Sequence, residues 1–294
     1  MDKSKIVAFG FWAFTLGFFI CSLIGIPEPR IEVRADEYAS SVIIGNSTPV
    51  VGTVTPGSIT LTEDTTVTAT STGTVTDGNG YEDLSSVIAV FYDADATTNA
   101  CPADANDCYR GADVTCATSS CSSLQCSFTC TATVVEYYAN AADWKWYVSA
   151  GDGTATGSET SASTTVATLN AIKLDLADIT YGTVSLDATS TEKTIVATNT
   201  GNASPVDIKV SGTTMVCDEK GILDIAQQHW NTTASQSWSS GETLTDTPAY
   251  TQMDIAQRTG VATTGDIYWQ LQIPATGYAG TCSGTNTFTA SAVD

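Results

Sequence analysis

The sequence predicts an all-β protein in which two tandem immunoglobulin-like (Ig-like) antiparallel β-sandwiches follow an N-terminal hydrophobic helix. Apolar and polar residues alternate with a period of two in many short segments, as they do in strands with one buried face. The composition is rich in Thr, Ser, Gly and Ala, and only 15% of the residues are charged, which favours strands and turns over helices. With 294 residues, the chain is long enough for two domains of ordinary size.

The first 35 residues are predicted to be a membrane anchor helix or a signal peptide. Lys3 and Lys5 precede an uncharged apolar run, Ile6–Ile26, which is long enough to cross a hydrocarbon core about 30 Å thick. Val33–Ala35 offers a small-residue cleavage site, so both alternatives remain open. Either one exports the rest of the chain to the cell surface or the extracellular space. Residues 36–45 are predicted to form a stalk or linker.

The first sandwich is predicted to span residues 46–169. In the segment 65–76, threonines occupy every even position from 66 to 76, while Val67, Ala69 and Val75 occupy the other face. Ser86–Tyr92 is a short, continuous apolar run, which is typical of a strand covered on both faces. Two further alternating segments follow a cysteine-rich loop. Their apolar positions include Phe128, Cys130, Ala132, Val134, Trp144, Trp146, Val148 and Ala150.

The second sandwich is predicted to span residues 170–294. Three of its segments alternate between apolar and polar residues and predict half-buried strands. The apolar positions are Ile172, Leu174, Leu176, Val206, Ile208, Val210, Ile267, Trp269, Leu271 and Ile273. A last strand is expected from Asn286 to Val293. Ile222–Trp230 is compatible with one or two helical turns.

Eight cysteines lie outside the apolar segment, and they predict disulfides in an oxidising compartment. The chain has no CxxC pairs at zinc-finger spacing and only one histidine, His229, which argues against a zinc site. Cys217 and Cys282 are alone in their half and are predicted to pair, with a contribution of about 4 kcal/mol from closing the long loop. The other six are predicted to form a local knot in a loop, with fifteen pairings open. They are Cys101, Cys108, Cys116, Cys121, Cys126 and Cys130.

Charge and chemistry exclude two classes of function. The net charge is −21 and no cluster of Lys and Arg is present, so nucleic acid is not expected as a partner. A Ser-His-Asp or Cys-His arrangement would have to use His229, which is expected at the surface without a catalytic role. The chain is therefore predicted not to be an enzyme and to carry no cofactor, apart from a candidate calcium ion.

The candidate calcium ligands lie in one turn of the first sandwich. They are Asp77, Asn79, Glu82 and Asp83, and a hard cation takes oxygen ligands from flexible loops of this kind. Their spacing does not match an EF-hand loop. The alternative is a plain turn in which Asp and Asn tolerate positive φ.

Two further sets of residues bear on binding and modification. Tyr137, Tyr138, Trp144, Trp146 and Tyr147 form an aromatic cluster that could stack on a glycan. Because Trp144 and Trp146 share the face of Val148, core packing is the preferred interpretation. Candidate glycosylation sites lie in three Asn-x-Ser/Thr sequons, at Asn46, Asn202 and Asn231.

The second half resembles an Ig-like module of prokaryotic cell-surface and cell-wall-associated proteins. The resemblance rests on Tyr181–Thr183, on the asparagine turn Thr198–Asn202, on the strand Tyr268–Pro274, and on Gly280–Thr289, which looks like the AGTYxGTxTFT ending of such domains. Where that pattern has Tyr, this chain has Cys282, which puts any binding role of the tyrosine in doubt. The first half resembles the Ig-like modules that precede this one in exported proteins of uncultured, small-genome prokaryotes.

The resemblance implies the fold and exposure at the cell surface. The leading hypothesis for function is a structural cell-surface protein, such as a subunit of an envelope layer or extracellular filament, or a stalked display protein. The alternative is an adhesin or glycan-binding module. The expected partners are further copies of the chain or other surface proteins, with glycans in the alternative, and the membrane through the N-terminal segment. Thr-rich strands could also accept a neighbour's strand at an open sheet edge.

Overall fold

The computed structural model describes residues 39–292. The predicted anchor or signal peptide and the cleavage site lie outside these residues. Residues 39–45 contain no helix or strand, and a compact unit begins at Asn46. Within the described range no α-helix occurs, and all paired strands are antiparallel, so the predicted all-β sandwich class is confirmed.

The N-terminal half of the compact unit contains two five-stranded sheets. One has the order β1-β3-β7-β6, with β2 also paired to β3, and the other has the order β10-β8-β4-β5, with β9 also paired to β8. The strands are β1 (Val50–Val51), β2 (Thr55–Pro56), β3 (Thr66–Thr76), β4 (Ser86–Asp93), β5 (Cys108–Tyr109), β6 (Val114–Ser122), β7 (Gln125–Glu136), β8 (Asp143–Gly151), β9 (Thr156–Thr160) and β10 (Thr164–Thr165).

The core of this half lies between the two sheets and is rich in aromatic side chains. Trp144, Trp146, Phe91 and Phe128 are fully buried. The ring of Phe91 lies 4.7 Å from that of Trp144 and 4.8 Å from that of Trp146 between centroids. This is the offset or tilted packing that aromatic pairs prefer. Residues from both sheets belong to one hydrophobic cluster, which is what makes the arrangement a sandwich.

The C-terminal half contains one five-stranded sheet, β11-β12-β19-β16-β17, and two three-stranded sheets, β18-β13-β21 and β15-β14-β20. The strands are β11 (Ile172–Leu174), β12 (Lys193–Asn199), β13 (Val206–Gly212), β14 (Met215–Cys217), β15 (Ile222–Leu223), β16 (Gln228–Asn231), β17 (Glu242–Thr243), β18 (Ala249–Tyr250), β19 (Thr264–Leu271), β20 (Cys282–Ser283) and β21 (Asn286–Ala292).

The alternating positions of this half supply its core. Ile267, Trp269 and Ile208 are fully buried, and the ring of Trp269 packs edge-on against Phe288 at 5.6 Å. These residues come from β19, β13 and β21, so the cluster joins the five-stranded sheet to the β18-β13-β21 sheet. The two halves therefore have separate main cores. The boundary predicted between residues 169 and 170 stays a prediction, because residues from Asn46 onward form one compact unit.

Three local expectations differ from the structure. Strand β4 is covered on both faces only in its second half, since Ile88 is 63% exposed while Ala89–Asp93 are buried. A β-bulge between Val67 and Ala69 interrupts the alternation in β3. The segment from Ile222 forms two short strands around a single 3₁₀ turn, Ile225–Gln227. Tertiary pairing with β14 and β19 thus overrides its weak helical pattern.

No helix among residues 39–292 has both the length and the apolar character needed to cross a bilayer.

Candidate functional site

Four disulfides join all eight cysteines of the described range. The N-terminal half holds Cys101–Cys108, Cys116–Cys130 and Cys121–Cys126. The predicted knot in a loop is wrong, because four of these six cysteines lie on the hairpin of β6 and β7. Cys116 and Cys130 are directly opposite each other across that hairpin, and Cys121–Cys126 closes its tip. The alternation of Phe128, Cys130 and Ala132 correctly placed Cys130 on a strand, but no such alternation marked Cys116, Cys121 or Cys126 as strand residues.

Cys217 and Cys282, the pair predicted from the sequence, are also joined by a disulfide. They are opposite each other on β14 and β20, and they connect segments 65 residues apart in sequence. Disulfides persist in oxidising compartments. Four of them in one compact unit indicate that the chain folds and works outside the reducing cytosol.

The asparagine turn Thr198–Asn202 lies at the junction of the two halves. The Asn199 Nδ2 atom donates hydrogen bonds to the carbonyls of Ala203 and Ile255 at 3.0 and 3.3 Å, and its Oδ1 accepts one from the Gly201 N–H at 3.0 Å. A Cβ atom on Gly201 would lie 2.0 Å from the Leu169 carbonyl oxygen. Glycine is therefore required for the turn to approach the end of the first half this closely.

Asn202 makes the connection between the halves. Its Nδ2 donates to the Ala139 and Ala167 carbonyls at 2.8 and 3.2 Å, and its Oδ1 accepts from the Leu169 N–H at 2.6 Å. The residue is only 2% exposed. The sequon at Asn202 is therefore not a glycan acceptor in the folded protein, because its amide nitrogen is buried and already bonded.

A second set of contacts ties the same two halves together. The Gln257 Nε2 atom donates to the Tyr138 carbonyl at 2.6 Å, and the Asn106 Nδ2 atom donates to the Arg258 carbonyl at 2.8 Å. The Arg258 guanidinium lies 4.6 Å from the Tyr138 ring centroid, a cation–π arrangement, and donates to the Tyr137 hydroxyl at 3.1 Å. The junction is thus held by partly buried polar contacts in addition to those of the buried Asn202 side chain. We expect the two halves to move as one body.

Two long strands lie at open sheet edges. Of the described strands with seven or more residues, only β6 and β21 pair with a single neighbour, β7 and β13 respectively. No charged residue occurs from Val114 to Val135 or from Ile267 to Ala292. Natural proteins usually protect such edges with charges or proline. In a chain of net charge −21, two long edge strands that contain neither a charged residue nor a proline are an exception.

The strand pairing shows which backbone N–H groups of β6 and β21 point away from the sheet. Cys116 and Cys130 have Cα atoms 4.0 Å apart, as in a non-hydrogen-bonded pair, so the N–H groups of Cys116 and Thr118 point away from β7. On the other edge, the Val206 N–H bonds to the Ile255 carbonyl, on the side of β13 away from β21. By the same alternation, the Ala290 N–H of β21 points to the free side.

The turn predicted to bind calcium contributes to an acidic cluster, but with a different set of residues. Asp77 and Asp83 lie together with Asp152, which was not predicted. Asn79 is not part of the cluster, and its Oδ1 accepts a hydrogen bond from the Ser47 N–H at 2.6 Å. Glu82 is exposed and is also outside it. The spacing along one loop could not show which side chains converge, because the third carboxylate comes from the turn after β8.

Hydrogen bonds hold Asp152 in place within this cluster. The Ala155 N–H donates to its Oδ1 at 2.7 Å, the Asn46 Nδ2 donates to its Oδ2 at 2.8 Å, and the Thr154 N–H donates to its Oδ1 at 2.7 Å. These bonds favour the ionised carboxylate and lower its pKa. Asp152 therefore keeps its negative charge at neutral pH.

The remaining candidates are mostly structural. His229 is 9% exposed rather than at the surface. Its Nδ1 lies 2.7 Å from the Trp238 carbonyl oxygen, and its ring stacks on Trp238 at 4.0 Å between centroids. The tyrosines Tyr137 and Tyr138 are buried, as are Trp144 and Trp146, and Tyr147 is partly exposed, so the five rings do not form an exposed stacking surface. Of the sequon residues, Asn46 is exposed and Asn231 is partly exposed.

Comparison with known proteins does not assign the chain to a family. No family model matches it, and no curated protein gives a significant match. One solved structure, described as "Chaperone-tip adhesin complex is vital for synergistic activation of CFA/I fimbriae biogenesis", aligns over 85% of this chain and 92% of that chain at 9% identity. Its TM-score is 0.30. A likeness of this degree supports no conclusion about function.

Proposed function

We propose that the chain is an exported structural protein of the cell surface whose copies join edge to edge into a filament or layer. The observation that carries the proposal is the pair of long, uncharged, open edges, β6 in the first half and β21 in the second. Pairing of β6 of one copy with β21 of the next uses two different surfaces. Such head-to-tail contacts repeat without closing unless the rotation between copies forms a ring.

The distribution of charge favours these two edge strands as the surfaces through which copies of the chain contact one another. Carboxylates on the rest of the surface repel a second copy of the same chain, whereas neither edge strand carries a charge. Main-chain hydrogen bonds then supply the attraction, as in other cases of strand addition to a sheet edge. Four disulfides and the bonded junction between the halves suit a subunit that must hold its shape under tension outside the cell.

The resemblance of residues 170–294 to Ig-like prokaryotic surface modules supports the same role. We infer that the chain belongs with tandem Ig-like cell-surface proteins, exported by the segment 1–35 and exposing Asn46 or Asn231 to glycosylation. No specific observation favours the adhesin or glycan-binding alternative, because four of the five aromatic side chains considered for binding a sugar are buried. We also propose a non-enzymatic role, because the one histidine of the chain, His229, stacks on Trp238 and its Nδ1 lies 2.7 Å from a backbone carbonyl oxygen rather than from a carboxylate.

Removing one outward donor from β6 will weaken assembly. In Thr118→Pro the lost N–H faces the open edge, so the ladder with β7 stays intact while an incoming strand loses a hydrogen bond. We expect the dissociation constant between copies to rise about tenfold, the equivalent of about 1.4 kcal/mol. Sedimentation velocity of the full chain in mild detergent over a range of concentrations measures this change, and negative-stain microscopy shows the fibres or layers.

Thr118→Val is the matched control, since it keeps the N–H and a β-branched side chain at the same exposed position. It should assemble like the natural chain. Ala290→Pro tests the second edge and should weaken assembly to a similar extent, because its N–H also points to the free side. A natural chain that stays monomeric at millimolar concentration, or a Thr118→Pro variant that assembles unchanged, would overturn the proposal.

A further inference from the structure

Three carboxylates converge at one end of the N-terminal half. Asp77 and Asp83 come from the connection between β3 and β4, and Asp152 comes from the turn between β8 and β9. One carboxylate oxygen from each lies within 4.8 Å of those of the other two. Among the described residues, no Lys, Arg or His nitrogen lies within 4.0 Å of these carboxylates, since the one ion pair joins Lys173 and Asp64.

Asp77 provides an independent indication that a ligand belongs here. Its side chain is completely buried, and its Oδ1 accepts a hydrogen bond from the Asn79 N–H at 2.8 Å. Among residues 39–292, no group donates a hydrogen bond to its Oδ2. A buried carboxylate oxygen without a partner is costly, and a buried charge is costlier still unless it is paired or coordinates a metal. A cation bound among the three carboxylates would satisfy this oxygen.

We propose that Asp77, Asp83 and Asp152 bind a calcium ion. Two oxygens that both contact Ca²⁺ at about 2.3–2.6 Å lie at most about 5 Å apart, and the three oxygens here meet this limit. Calcium accepts several carboxylates in a flexible arrangement, whereas Mg²⁺ demands near-octahedral geometry and usually takes only one or two. Zinc is disfavoured, because the cluster contains neither His nor Cys.

The ion would connect the two facing sheets of the N-terminal half. Strand β3 belongs to one sheet, and β8 and β9 belong to the other, so the ligands come from both. The segment at the start of the compact unit is attached to the same place, since Asn46 bonds to Asp152 and Ser47 bonds to Asn79. Calcium would therefore stiffen the end of the protein at which this segment enters the fold. This role is independent of the proposed edge-to-edge assembly.

Calorimetric titration of the full chain with calcium chloride, in mild detergent and under non-reducing conditions, tests the proposal. We expect one site with a Kd on the order of 10⁻⁴ to 10⁻³ M, as in extracellular calcium modules. A tenfold excess of calcium over Kd should raise the Tm of the N-terminal half by about 3–5 °C. Magnesium chloride at the same concentration should give a smaller shift.

The variants separate a defined site from diffuse attraction to an acidic surface. Asp83→Asn changes an exposed side chain, so the fold should survive while calcium affinity falls at least tenfold. Glu82→Gln removes a charge from the same loop but outside the cluster, and it should bind calcium like the natural chain. No heat and no change in Tm for the natural chain would overturn the proposal. Equal binding by the natural chain and Asp83→Asn would do so as well.

Discussion

Replacing both Cys217 and Cys282 by alanine will lower the free energy of unfolding of the C-terminal half by about 4 kcal/mol. The disulfide closes a loop of 65 residues, and its loss restores the conformational freedom of that loop in the unfolded chain. The small sheet β15-β14-β20 suffers most, because Cys217 packs there with Leu223, Leu271 and Ile273. Urea denaturation of the oxidised chain, followed by tryptophan fluorescence, measures the change.

The matched control is the double replacement of Cys121 and Cys126 by alanine. That disulfide spans only five residues at the tip of a hairpin, for which the same chain-entropy argument gives about 2 kcal/mol. The hairpin is also held by the second disulfide, Cys116–Cys130. If the short-range pair proves as costly to remove as the long-range one, the entropic explanation is wrong.

The long strands of the fold could be predicted from the sequence because their pattern is local. Ile267, Trp269 and Leu271 alternate with polar residues, and all three are buried on one face of β19. The pairing of Cys217 with Cys282 was likewise predictable, since each had only one partner in its half. Strand β6 was not predicted, because its small polar residues and two cysteines show little apolar alternation. Its structure depends on pairing with β7.

The candidate sites bring together residues that are far apart in the sequence, and local sequence patterns do not show such contacts. Asp77 and Asp83 could be predicted as ligands because they lie in one loop, whereas Asp152 lies some 70 residues further along the chain. Its one local signal is the Asp152-Gly153 turn, where Gly153 has a φ of 91°. Only the packing of the two sheets brings that turn to the β3–β4 connection. Similarly, the asparagine turn was recognisable as a motif, but its contact with the first half was not.

Asn202→Ala will destabilise the junction between the two halves by about 3 kcal/mol. The substitution leaves the Ala139 and Ala167 carbonyls and the Leu169 N–H without their side-chain partner. Leaving a buried polar group without a hydrogen-bond partner costs about 1–3 kcal/mol. Water that enters the opened junction can bond to some of these three groups, which lowers the total cost. Urea denaturation measures the loss. Limited proteolysis should show faster cleavage in the connecting segment, residues 166–171, than in the natural chain.

Asn231→Ala is the matched control, because Asn231 also begins a sequon but bonds only to nearby groups. Its Oδ1 accepts from the Thr233 N–H, and its Nδ2 contacts the Ser240 carbonyl at 3.4 Å. We expect a loss of about 0.5 kcal/mol, typical of a surface change, and no new cleavage between the halves. Equal losses for the two variants would mean that Asn202 does not join the halves. A glycan found on Asn202 of the folded protein would contradict the buried junction directly, since that nitrogen is the atom that bonds to Ala139.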